Sequence, residues 1–191
     1  MKYHRIMLPV VLMSMSLSTV AFAQTETQKS DPQKSEAQKS FDTIKTLAGN
    51  WTGPAKLDPP MHEMGDGTVT QISMRVTSRG NALVHEMKEA GTPDDPTRYD
   101  HPLTMLYLDG DRLFLTHYCD AGNRPRMVAR TSADGKTVEF DFLDVAGGTQ
   151  YGHMHHAVFT IIDANHHIED WTYMMPGDKP AHVHLDLKRA Q

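Results

Sequence analysis

Histidine supplies the densest chemistry in this chain. His153, His155 and His156 surround Met154, His166 and His167 are adjacent, and His182 and His184 bracket Val183. Side chains two apart on a β-strand share a face, so the pairs His153/His155 and His182/His184 would each present two imidazoles to one side. Two such pairs on neighbouring strands would give the nitrogen-rich set that zinc or copper accepts, and Met154, Met174 or Met175 would add the soft sulfur that favours Cu(I). One histidine inside a barrel would instead suit haem iron as an axial ligand. Alternation supports a plainer reading. Val183, Leu185 and Leu187 claim the buried side of the last strand and send His182 and His184 to solvent with Asp186 and Lys188. The first pair is ambiguous, because His153 and His155 share parity with Phe159 and Ile161 while Met154 and His156 share it with Val158 and Ile162. His166 and His167 follow Asp163-Ala164-Asn165 and read as decoration of a turn.

Other reactive side chains form no catalytic set, and no catalytic residue is assigned. His117 and Cys119 share a strand face, but Leu113 and Leu115 share it too, which favours a buried, inert thiol. His85-Glu86 begins an H-E pair, yet Glu89 stands where a zinc-protease helix needs its second histidine. A wall of aromatic and methionine side chains with a few polar groups is what a small-molecule site requires. Tyr107, Tyr118, Trp171, Tyr173 and His153 are the candidates for it. Two loops add recognition chemistry: residues 57–67, and residues 120–126 with Arg124 and Arg126 beside Asn123. Connections longer than a turn needs are where binding is placed on a rigid scaffold.

The elements that would position these groups are strands. Val138, Phe140 and Phe142 alternate with Glu139 and Asp141, and Val183, Leu185 and Leu187 alternate with polar neighbours, the period of a half-buried strand. The same reading gives strands near 50–56, 68–77, 82–90, 103–108, 112–119, 126–131, 137–143, 153–162, 168–175 and 181–188. Asp109-Gly110 is a two-residue hairpin signal, and Arg79-Gly80-Asn81, Asp134-Gly135, Asp163-Ala164-Asn165 and Pro176-Gly177-Asp178 mark further reversals. No segment of crossover-helix length separates them, so pairing must be antiparallel. An all-β, up-and-down barrel of about 8–10 strands hides the edges most economically, with a sandwich as the alternative. Phe41, Ile44, Leu47 and Ala48 have helical spacing ahead of Gly49, so one short helix precedes the strands.

Lys2, His4 and Arg5, an apolar run from Ile6 to Val20, and Ala21-Phe22-Ala23 make a secretory signal cleaved after Ala23. The product is expected in the periplasm or outside the cell. Residues 24–40 repeat Gln-Lys-Ser at five-residue intervals without a large apolar side chain and read as a disordered linker. Residues 41–191 then form a single domain. Cys119 is the only cysteine, so no intrachain disulfide forms. The formal charge is −5, and −7 once Lys2 and Arg5 leave with the signal, which disfavours a nucleic-acid partner. A monomer with no membrane span after signal removal is expected.

Leu47-Ala48-Gly49-Asn50-Trp51-Thr52-Gly53, a short helix running into G-x-W on the first strand, resembles the calycin superfamily, the lipocalins and their bacterial relatives. Met105 to Leu113 and Thr116 to Met127 look like a group of exported bacterial lipocalin-like proteins of unknown function. The resemblance implies that Trp51 closes one end of a barrel while Arg189, after the final strand, packs across it. It also implies a central cavity, whose occupant we expect to be a small, largely apolar molecule. No cofactor is expected on this reading; metal (Cu or Zn) or haem binding through the His-rich strands is the alternative. Animal lipocalins usually carry a disulfide that this chain cannot make, so only the barrel is carried over.

Overall fold

A computed structural model describes residues 34–60 and 67–190. The signal, its cleavage position, the linker up to residue 33 and residues 61–66 of the first candidate recognition loop lie outside the described residues. Helix α1 (Glu36–Lys45) leads into ten strands: β1 (Gly49–Asp58), β2 (Val69–Thr77), β3 (Ala82–Glu89), β4 (Leu103–Asp109), β5 (Arg112–Tyr118), β6 (Arg124–Thr131), β7 (Thr137–Ala146), β8 (His153–Asp163), β9 (His166–Met175) and β10 (Lys179–Arg189). Every strand pairs antiparallel with its chain neighbour, and β1 pairs with β10, so the sheet closes on itself. This closed ring leaves no sheet edge to protect. The sandwich alternative is excluded.

Short reversals carry the register. Asp109 pairs with Arg112 around Gly110 and Asp111, and Gly110 has φ of 62°, a left-handed conformation that glycine adopts without steric cost. The helix starts earlier than the apolar spacing indicates. Ser35 caps it by accepting from Gln38 N–H at 3.1 Å, and Glu36 occupies the first turn, where negative charge is favoured. Phe41 and Ile44 are buried one turn later, and Ser40 meets Thr131 by hydroxyl contact. Burial of that face orders the last residues of the repeat, which their polar composition alone does not reveal.

The helix packs against β4, β5 and β6 and joins Leu47 and Trp51 in one apolar cluster at the lower end of the barrel. Trp51 is 1% exposed and donates its indole N–H to Leu47 C=O at 2.7 Å. The Arg189 guanidinium lies 4.1 Å from the Trp51 ring centroid. Its Nη1 donates to Ala48 C=O and its Nε to Ala164 C=O, both at 2.9 Å, so one side chain ties the helix end, the β8–β9 turn and the indole together. The chain must be glycine at 49, because a Cβ there would run into Arg189 Nη1 and φ is 140°.

We expect Arg189→Ala to cost about 2 kcal/mol in urea unfolding, from the lost cation–π contact and the carbonyls left unpaired. Arg189→Lys should restore only part, because an ammonium keeps the charge but not the planar fork.

Candidate functional site

Alternation along β9 turns His167, Glu169, Trp171 and Tyr173 to the same side, and the first three are buried within the barrel. The Glu169 carboxylate, 0% exposed, sits at the centre. Its Oε2 lies 3.0 Å from His85 Nε2 and accepts the Trp171 indole N–H at 2.9 Å, while Oε1 lies 2.9 Å from His167 Nε2. Burial alone would raise its pKa, but His85 and His167 outweigh burial and hold the carboxylate well below its usual range. His85 Nδ1 and His167 Nδ1 are buried without a hydrogen-bond partner.

Apolar rings pack around this polar centre. Phe159 lies edge-on to Trp171 at 5.5 Å and to Phe140 at 5.9 Å, and His167 lies edge-on to Trp51 at 4.2 Å. Leu106, Leu115, Met127 and Leu185 are wholly buried in the same cluster. Side chains therefore fill the lower and middle barrel, where the sequence reading expects a central cavity. Ten strands leave a wider bore than eight, and large aromatic rings occupy it.

Above Trp171 the packing changes. His117 sits beside the indole at 5.9 Å between ring centroids, and its Nδ1 meets Thr104 Oγ1 at 2.9 Å. Burial, with a smaller push from the charge of His85, brings His117 down to about 4, so the imidazole is neutral at neutral pH. Nearer the rim, Phe142, Met154, His155 and Tyr173 are only half-buried. Phe142 stacks on His155 at 4.7 Å, and the Tyr173 hydroxyl donates to Tyr151 C=O at 2.8 Å. Asn123, 2% exposed, donates to Gly148 C=O and Gly152 C=O and so binds two rim loops together.

Connection lengths separate the two ends. At the lower end the turns span residues 78–81, 110–111, 132–136 and 164–165; at the upper end they span 59–68, 90–102, 119–123, 147–152 and 176–178. The long connections lie on the side of the half-buried rings.

The structure brings only part of the sequence-derived candidate set together. Trp171 and Tyr173 face inward, and His153 joins His155 at the rim with Nε2 and Nδ1 3.1 Å apart. Tyr107 faces outward instead, stacked on Phe114 at 6.0 Å, because its parity is opposite to that of buried Thr104 and Leu106. Tyr118 is 41% exposed on the outer flank. Arg124 is exposed at the rim, and Arg126 pairs with Asp144 on the outer surface. His182 and His184 are separated from the first pair by the whole of β9 and are engaged by Thr172 and Asp170 at 3.1 and 2.6 Å. The four histidines thus form no common metal set, since the two strands are not neighbours.

His167, Glu169 and His85 escape the sequence reading. His167 is wholly buried rather than turn decoration, because β9 begins at His166 and leaves only residues 164–165 in the turn. The available signal was parity: His167 and Glu169 share the face of Trp171. His85 similarly shares the face of Leu83, but its adjacency to Glu86 drew attention to a motif instead.

Fold and site together define a closed ten-stranded antiparallel barrel with one short helix and a buried polar centre. No family model matches the chain, and no curated protein matches it. Among solved structures it is similar to Rv2717c from M. tuberculosis, with a TM-score of 0.56 and 11% identity over 80% of this chain and 98% of that one. A protein of unknown function from the DUF3598 family of Nostoc punctiforme PCC 73102 matches with a TM-score of 0.49 and 10% identity, over 77% of this chain and 49% of that one. At such identity the likeness to Rv2717c shows the fold alone.

His117 generates a pH prediction. The unfolded chain takes up a proton near pH 6.5 and the folded chain only near 4, so stability falls as pH drops through that window, by about 3 kcal/mol. Glu169 acts below it: its depressed pKa stabilises above the unfolded carboxyl value, and this is lost toward still lower pH. Urea titrations from pH 7 to 4 should show the first loss, and His117→Gln should flatten it.

Proposed function

We propose that this is an exported binding protein that holds a small, largely apolar molecule in the upper mouth of its barrel. One observation carries the reading: Phe142, Met154 and Tyr173 are half-buried above the buried Trp171, at the end where the long connections gather. Rings and a thioether offer apolar contact, and the neutral His117 beneath them can accept or donate one hydrogen bond without adding a charge. The bound molecule rests on Trp171 and does not enter the filled barrel below. No acid, base and nucleophile are needed, and none is assigned.

Export rests on the amino-terminal pattern of Lys2 and Arg5, an apolar run and Ala21-Phe22-Ala23. Among the described residues no helix is long and apolar enough to cross a membrane. Expressed with its own leader in a Gram-negative host, the chain should appear in the periplasm beginning at Gln24 by intact mass. Retention of Met1 on the purified chain would remove this part of the reading.

Binding is tested with N-phenyl-1-naphthylamine, whose emission rises in apolar surroundings. Saturable enhancement is expected, and Tyr173→Ala should weaken it about tenfold, the loss of one good aromatic contact. Tyr107→Ala and Tyr118→Ala, on the outer flank, should leave it unchanged. Absence of saturation, or equal loss in the outer variants, contradicts a mouth site.

A further inference from the structure

Imidazoles at the rim carry an inference that does not depend on the apolar ligand. The pairing of β8 with β9 shifts register between Met154 and His156, leaving His155 with no partner on β9. Bulges re-aim side chains and gather near functional sites. Here the bulge falls at His155, two residues after His153, and the two rings meet over Phe142, at 4.8 Å for His153 and 4.7 Å for His155. Their nearest nitrogens, His153 Nε2 and His155 Nδ1, are 3.1 Å apart.

That separation suits two ligands of one metal ion. With metal–nitrogen bonds of about 2.0–2.1 Å, adjacent nitrogens stand about 2.9 Å apart at a right angle and about 3.4 Å apart at a tetrahedral one. We infer that His153 and His155 form an open two-imidazole site for a divalent transition-metal ion, binding copper(II) more tightly than zinc(II). Copper leads zinc by the general affinity order for nitrogen ligands, and water fills the remaining positions. Phe142 limits the rotation of both rings, so little ordering is left for the metal to impose.

The cluster of ligand-type side chains formed by Glu139, Asp141 and His156 makes the weaker case. Arg130 already pairs with both carboxylates there, so a cation would have to displace a guanidinium. In the outward pair, His182 and His184 are already engaged by Thr172 and Asp170.

The test uses the untagged mature protein, stripped with chelator and titrated with copper(II) and zinc(II) separately by calorimetry. The copper form is also examined by electron paramagnetic resonance. One copper per chain is expected, with hyperfine splitting from two nitrogens and at least tenfold weaker zinc binding. His153→Gln and His155→Gln should each weaken copper at least tenfold, with near-ultraviolet circular dichroism confirming that both variants are folded. His156→Gln and the double variant His182→Gln/His184→Gln should bind as the parent does. Copper affinity that survives both rim substitutions, or that disappears with His156 or with His182 and His184, overturns the inference. If one rim variant fails to fold, the other decides alone, and the two-nitrogen splitting of the parent is required in either case.

Discussion

Closure of the sheet depends on how its first and last strands are locked. β1 and β10 come from opposite ends of the domain and bear the largest loop-closure entropy of any pair in the ring. Their junction is reinforced where it begins: Trp51 stands opposite Arg189 in the register, and the guanidinium covers the indole while bonding the carbonyls of Ala48 and Ala164. Helix α1 completes the floor through Phe41 and Ile44. The longest connections lie at the opposite, upper end, and among the described residues the half-buried inward rings Phe142 and Tyr173 lie there too.

A second constraint works from inside. A buried carboxylate is costly unless its lone pairs are taken up, and Glu169 is supplied by His85, His167 and Trp171. These three donors come from two strands on the barrel wall, β3 and β9, so the network braces the tube across its bore. The same bracing fills the space a larger cargo would need. Toward the upper end the network is bounded by Trp171 and a neutral His117, both buried.

Much of this was legible in the sequence, and the reason is periodicity. All ten strands fall where alternation and turn residues put them, within three residues at each end, because each is half-buried and each reversal carries glycine, asparagine or aspartate. The G-x-W motif and the late arginine indicated the floor correctly. Side-chain direction was less legible wherever polar residues face inward. Glu169 and His167 carry the usual mark of a solvent face, and only their parity with Trp171 shows otherwise. Tyr107 misleads in the opposite sense, since it lies half-buried on the outer face of β4, stacked on Phe114. Bulges also defeat strict alternation: the shift at Met154/His156 decides how His153 and His155 meet, and nothing in the local sequence announces it.

The central claim is that binding occurs at one end of a barrel that is otherwise full. Amide chemical-shift mapping of the isotope-labelled mature chain, titrated with an apolar probe, tests it most directly. Shifts should concentrate at residues 117–123, 142, 151–155 and 171–174, with Leu47, Trp51 and Arg189 unmoved. Perturbation centred on the floor, or spread along the outer face of β1, β2 and β3, would contradict the account.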